Sequence, residues 1–295
     1  MAALWQHYYD RVPIAKTIES ATREMGEAWI EDHVAFRTLP GSYTGMTNLQ
    51  KIFEVLGYER RDDYHFEEKK LKAFWMAPKD CHKDTREVAP KIFISELIPH
   101  SFSNSFRDTI KTIASQVTKS PIDSLQQIIG DQSIATKDKE DRIVAICTRY
   151  LTEGPSWARP TIKNYETLKL ESDYAAWTYL FGQQINHFTV SAHLIKKFDS
   201  LEKYGEFLKS ELGIAMNESG GLVKGTPELK LEQIATMAAK VPVHFQEGLQ
   251  DISYGFVEFA KRYPLEGKSN DGHWDSYYQG FVASNADKIF ESTYK

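Results

Sequence analysis

Two histidines and one glutamate carry the clearest capacity for chemistry in this 295-residue chain. His33 lies in Asp32–Thr38, His187 in Asn186–Val190 and Glu258 in Gly255–Phe259, each in the middle of an alternating or apolar, strand-like run. Two imidazoles and a carboxylate form the ligand set that holds a non-heme Fe(II) on one face and leaves the other open to substrate and O2. The three residues are far apart in the chain, so only a tertiary fold brings them together. Ligands scattered over separate strands suit a cupped sheet; a local site would show closely spaced histidines on one helix.

Strand alternation assigns partners to each. His33, Ala35 and Arg37 share one face, while Val34 and Phe36 take the other. The ordinary alternative is a solvated strand face. The functional reading is a metal-bound imidazole with Arg37 two pleats away, a guanidinium suited to gripping a substrate carboxylate bidentately. His187 shares its face with Thr189 and Ser191, and His193 is its competitor; the mid-strand position favours His187. Glu258 stands in the otherwise uncharged run Tyr254–Ala260, where a buried, unpartnered carboxylate costs several kcal/mol. A metal removes that cost, and so would Lys261, Arg262 or exposure on an edge strand. Glu96, in Phe93–Leu97, has the same character and competes for the carboxylate role. It could also serve as the base of a zinc hydrolase. The other histidines, His7, His65, His82, His100, His244 and His273, fall in polar or loop contexts.

The elements that must position these residues recur in one order. Residues 1–30 read as helical, Asp32–Thr38 as a strand, and a helix capped by Thr47 runs to a stop at Gly57. Tyr58–Glu68, Leu71–Ala77 and Lys91–Leu97 read as strands. The order returns with strand Gln184–Ser191, helix Leu201–Leu212, weaker strands Leu231–Met237 and Val241–Glu247, and strand Tyr254–Ala260. Residues 101–180 are mostly helical and hold no metal-type residues, so they are expected to pack as a layer on the sheet. The implied class is α+β: two βαβββ-like modules side by side, forming a half-open, cupped barrel with a helical layer. A single domain covers 1–295, with module one at about 30–100, the helical insertion at about 101–180, module two at about 181–262 and a C-terminal segment at 263–295.

Bulk properties narrow the function. The chain is 41% hydrophobic, 26% charged and 13% aromatic, with net charge −5. That is an ordinary globular composition, and its spread of lysine and arginine offers no footprint for nucleic acid. Cys81 and Cys147 form no disulfide framework. The opening residues are too polar for a signal peptide, and no apolar run approaches the roughly 18 residues a membrane span needs. A cytoplasmic protein is expected. Dinucleotide, phosphate-loop and nucleophile-elbow motifs are all missing.

Taken together, the words around His33, His187 and Glu258 and the tail Asn285–Thr293 resemble the 2-oxoadipate dioxygenase/decarboxylase family, also called hydroxyglutarate synthase. The resemblance runs from about residue 30 to the C-terminus. That family is similar in fold to vicinal-oxygen-chelate proteins and hydroxymandelate synthase. Its members resemble Fe(II) enzymes that convert 2-oxoadipate and O2 to D-2-hydroxyglutarate and CO2 in lysine catabolism. The resemblance implies His33, His187 and Glu258 as metal ligands and Arg37 as the holder of the substrate's far carboxylate, with Arg159 or Arg262 next in line. Two other readings compete: a Ni, Zn or Mn isomerase or lyase of the same fold, and a module that binds a small molecule without turnover. The tail is expected to fold back over the mouth of the cup, with Asn285 or Asp287 capping a helix through Ile289 and with Phe281, Val282 and Phe290 as anchors. The alternative is a helix on the sheet's outer face.

Overall fold

The computed structural model describes residues 1–293, apart from the side chain of Asp287. Helices α1 (Ala2–Arg11) and α2 (Pro13–Glu24) precede β1 (Glu31–Thr38), α3 (Met46–Val55), β2 (Tyr58–Phe66), β3 (Leu71–Pro78) and β4 (Lys91–Leu97). Five helices follow: α4 (Asn104–Ala114), α5 (Ile122–Gly130), α6 (Thr136–Thr152), α7 (Ile162–Lys169) and α8 (Asp173–Phe181). Then come β5 (Ile185–Ser191), α9 (Leu201–Ser210), β6 (Lys224–Thr226), β7 (Leu231–Ala235), the hairpin of β8 (Lys240–Phe245) and β9 (Gly248–Ser253), β10 (Phe256–Arg262), and α10 (Ala283–Ile289).

Eight strands form one curled sheet in the order β2-β3-β4-β1-β5-β10-β7-β6. The order is two copies of one motif placed head to head. In each, the first strand lies parallel to the last: β1 beside β4 and β5 beside β10. The two first strands, β1 and β5, pair antiparallel at the centre. The result is a mixed α+β half-barrel. Val241–Glu247, read from sequence as a strand of the second module, instead contributes β8, which pairs only with β9 in a separate two-stranded ribbon.

Alternation along the central strands decides what each face does. On the outer face, Phe36 meets Phe53 of α3 with ring centroids 5.3 Å apart, Phe188 stacks on Trp5 of α1 at 3.7 Å, and Phe259 meets Tyr204 of α9 edge-on at 4.9 Å. Each fully buried aromatic is worth roughly 1.5–3 kcal/mol, so these contacts hold the three helices against the back of the sheet. The opposite, concave face carries His33, Ala35, Arg37, His187 and Glu258. The cap expected at Thr47 lies inside α3, which starts at Met46. Its first turn is met on the same outer face by Glu96 of β4, which accepts the Met46 N–H at 2.7 Å. Helix α8 is buried at every residue from Tyr174 to Phe181, the pattern of a helix enclosed on nearly all sides.

Candidate metal centre

Strand register alone accounts for the convergence of the two histidines and the glutamate. His33 on β1 sits opposite Thr189 on β5, and Thr189 sits opposite Glu258 on β10. Strands lie about 4.8 Å apart, so His33 and Glu258 flank β5 on one face with Thr189 between them. His187, two residues back along β5, points the same way. Their ligand atoms all lie within 4.8 Å of one another. Glu258 Oε1 is 3.7 Å from His33 Nε2, and Glu258 Oε2 is 3.5 Å from His187 Nε2.

Neighbouring groups settle which imidazole nitrogen faces the cluster. Asp32 Oδ1 lies 2.8 Å from His33 Nδ1, and Asn186 Oδ1 lies 3.0 Å from His187 Nδ1. Each oxygen accepts the Nδ1–H and turns the Nε2 lone pair inward, the arrangement that orients metal-bound histidines. Thr189 Oγ1, 3.0 Å from His33 Nε2, donates to it. Asp32 is itself clamped by Arg262, through Nε–Oδ2 at 2.5 Å and Nη2–Oδ1 at 2.8 Å, and by Lys91 at 3.2 Å. Burial works to raise the Asp32 pKa, but Arg262 and then Lys91 hold it well below the usual carboxylate range. Burial and then the Arg262 charge push Lys91 down to about 7.

The electrostatics fit a divalent cation. Burial, then the charges of His33 and Arg37, keep the His187 pKa well below that of an ordinary imidazole, so the ring is neutral and ligand-ready. Burial raises the Glu258 pKa, opposed by His33 and by the Gln233 amide that donates to Oε1 at 2.6 Å. A carboxylate that is costly to keep charged, beside the neutral His187 ring, is a pair that a bound metal would stabilise, since metal ligands must be deprotonated.

Arg37 closes the far end of the same cavity. Its guanidinium lies over the rings of Trp177 at 5.0 Å, Tyr174 at 5.2 Å and Phe290 at 5.5 Å, and Nη2 donates to Thr293 Oγ1 at 3.3 Å. The helical insertion, expected from sequence only to cover the sheet, therefore supplies two walls of the arginine's box from α8. The sequence signal was the unbroken burial-prone run Tyr174–Phe181.

The tail lies over the mouth of the cup rather than on the outer face. Phe281, Ala286, Ile289 and Phe290 line the cavity, and Phe281 meets the rings of His33 and Phe93, each at 4.8 Å. Free space inside is about 30 Å³, on the order of one water. Helix α10 begins at Ala283 with Val282 at the cap position, so neither Asn285 nor Asp287 caps it. Asn285 is instead buried within the helix, and the side chain of Asp287 lies outside the described residues.

The competitors sit elsewhere. Glu96 points to the opposite face, where besides Met46 it meets Lys72 Nζ at 3.1 Å. His193 packs on Tyr277 at 4.7 Å, with burial pushing its pKa down to about 4. Arg262 is committed to Asp32, and Arg159 is on an exposed segment. Sequence reading missed Asp32, Asn186, Lys91 and Gln233 as the groups around the cluster. The repeated pair of an Asx residue just before each histidine, Asp32-His33 and Asn186-His187, was a usable signal.

A curled mixed sheet with two histidines and a buried glutamate converging on its concave face defines an α+β half-barrel with a candidate metal site. The chain belongs to the 2-oxoadipate dioxygenase/decarboxylase family, enzymes of the oxygenase class, whose sequence model matches residues 1–276. It is 33% identical over 298 residues to the chloroplastic/amyloplastic 2-oxoadipate dioxygenase/decarboxylase of Oryza sativa, covering 97% of this chain and 75% of that one. The crystal structure of the Oryza sativa hydroxyglutarate synthase in complex with 2-oxoadipate superposes with TM-score 0.80 at 30% identity, over 99% of this chain and 90% of that one. A putative glyoxalase superfamily protein from Ralstonia eutropha shares the fold, with TM-score 0.75 at 23% identity over 95% and 83% of the two chains. Among the described residues, no helix is long and apolar enough to cross a membrane.

Proposed function

We propose that this protein is an Fe(II)-dependent dioxygenase/decarboxylase that converts 2-oxoadipate and O2 to 2-hydroxyglutarate and CO2. The observation that carries the reading is one buried cavity with His33, His187 and Glu258 at one end and Arg37 at the other. The 2-oxoadipate bound to the Oryza sativa relative supports the choice of substrate. When bound, Fe(II) would supply a chelation site for the 2-oxo acid and the electrons that activate O2. His33, His187 and Glu258 would hold it, with Asp32 and Asn186 keeping both imidazoles turned toward it. Arg37 is four residues from His33 on the same strand face, about 13 Å along an extended strand, and both side chains reach into the space between. Once the cavity opens beyond its present one-water space, a diacid gripped by the guanidinium at its far carboxylate would present its oxo-acid end to the ligand cluster, and a monoacid would lack that anchor. Phe93, Phe281 and Phe290 surround the path between the two ends and exclude water while the carbon chain loses CO2 and gains its hydroxyl. We assign the protein to the cytoplasm, on the support of two buried, unbridged cysteines, Cys81 and Cys147.

The test is to load the purified chain with Fe(II) without oxygen, then add 2-oxoadipate and air-saturated buffer. Equal amounts of O2 consumed, CO2 released and 2-hydroxyglutarate formed are expected. Metal-dependent turnover or binding of 2-oxoadipate without O2 uptake would assign the site to an isomerase, a lyase or a binding module instead.

A further inference from the structure

The carboxylate end of the ligand cluster is wired to the C-terminal helix. Gln233 on β7 donates from Nε2 to Glu258 Oε1 at 2.6 Å, and Asn285 of α10 donates from Nδ2 to Gln233 Oε1 at 3.0 Å and to the Leu231 carbonyl at 3.3 Å. All three side chains are buried. The chemistry of the acceptors fixes both amides. Glu258, as a carboxylate, accepts only, so the Gln233 group facing it is the NH2. The Gln233 carbonyl then faces Asn285, which must present its own NH2, and the Leu231 carbonyl imposes the same orientation independently. Gly225 makes room for this approach: a Cβ there would lie 2.4 Å from Asn285 Nδ2 and 2.1 Å from the Leu231 carbonyl oxygen, and its φ of +89° suits glycine alone. Further polar bonds seat the same end of the chain on module two, with Asn217 Nδ2 donating to the Lys288 carbonyl at 3.0 Å and to Ser292 Oγ at 2.9 Å.

We propose that Asn285 and Gln233 are positioning residues for Glu258. Asn285 locks the Gln233 amide in the one orientation that supports a charged, metal-facing carboxylate, so that seating of α10 and metal affinity depend on each other. The inference rests on the metal reading of His33, His187 and Glu258. If α10 is displaced, the Gln233 amide is free to turn its carbonyl toward Glu258, and the carboxylate loses its donor. By linkage, a metal that binds better when the helix is seated also holds the helix in place.

Co(II) titration of the metal-free full chain tests this, read by the metal's visible absorption bands. Asn285→Asp keeps the size of the side chain and removes its N–H groups, so the Gln233 amide turns to donate to the new carboxylate. Loss of an outer group behind a metal ligand typically weakens metal binding about 10–100-fold, and that loss is expected for Asn285→Asp and for Gln233→Leu, with an altered band pattern in each. In the Gln233→Leu background no amide remains to turn, so adding Asn285→Asp should weaken binding no further. This non-additivity is what a merely structural role for Asn285 would not produce. If Asn285→Asp fails to fold by circular dichroism, Asn285→Leu, which removes the donor without adding charge, takes its place with the same expected non-additivity. Wild-type affinity in the folded Asn285 variant, or losses that multiply in the double variant, overturns the relay alone. A wild-type chain that takes up no Co(II) overturns the metal reading and the relay with it.

Discussion

Replacing Arg37 by methionine removes one charge from the cavity while keeping an unbranched side chain of similar reach. The guanidinium is 1% exposed and boxed by Tyr174, Trp177 and Phe290, a setting in which methionine still packs well against rings. Truncating one partner of a buried, hydrogen-bonded charge pair costs about 2–5 kcal/mol. At about 1.4 kcal/mol per tenfold, that predicts a rise in the apparent binding constant for 2-oxoadipate of roughly 30- to 4,000-fold. The metal cluster is at the other end of the cavity, so metal affinity should stay at the wild-type level. Two assays separate the effects: Co(II) titration for the metal, and steady-state O2 uptake against substrate concentration for the diacid. A monoacid of the same length, 2-oxohexanoate, has no far carboxylate to lose and should respond little to the change. Wild-type affinity for 2-oxoadipate in a metal-loaded Arg37→Met protein refutes the assignment, as does an equal loss for both substrates.

Three further outcomes follow from the geometry. His187→Ala should abolish metal retention on gel filtration while His193→Ala keeps it, because only the first imidazole faces Glu258. Glu96→Gln should leave metal content unchanged and lower stability by about 0.5–2 kcal/mol, through the weakened hold on the first turn of α3; thermal melting and metal analysis of one sample read both. Truncation after Gly280 removes Phe281 from its contact with the His33 ring. A folded, metal-loaded truncation should consume more O2 than it makes product, and equal amounts of the two would show that the tail has no part in excluding water.

Much of this centre is legible in sequence because strand alternation is local. The words around His33, His187 and Glu258 reveal which residues share a face, and the order strand, helix, strand, strand, strand gives the two-module half-barrel. What alternation cannot supply is the pairing between strands. The groups that tune the cluster come from across the sheet or beyond it: Arg262 reaches Asp32 from β10, Lys91 from β4, and Gln233 reaches Glu258 from β7. Glu96 illustrates the same limit from the other side. Its apolar context matched that of Glu258, yet one residue of phase sends it to the opposite face, where its acceptor capacity meets a helix N-terminus. The role of α8 was hidden for a different reason, since a helix apolar on all sides announces burial without saying against what.

The two modules also explain why the cluster has three members. The register pairs Ala35 with His187 and His33 with Thr189 across β1 and β5, so the local twofold that exchanges the strands carries His33 onto His187 and Ala35 onto Thr189. On β10, the residue opposite Thr189 is Glu258; on β4, the residue opposite Ala35 is Phe93. A fully symmetric centre would therefore hold two histidines and two carboxylates. At the fourth position this chain places a phenyl ring, which lines the cavity and packs against Phe281 of the C-terminal segment. Three protein ligands leave a bound metal more open coordination than four, and an oxo acid that chelates through two oxygens needs that room. The phenyl ring would do a second job under the proposed function, because a carboxylate there would repel a dianionic 2-oxo diacid. An aromatic residue in place of one carboxylate of a symmetric pair would thus supply both the open coordination and the apolar wall that suit the proposed 2-oxo diacid. The asymmetry lies in the contacts of β4 and β10, while the fold that presents them stays symmetric.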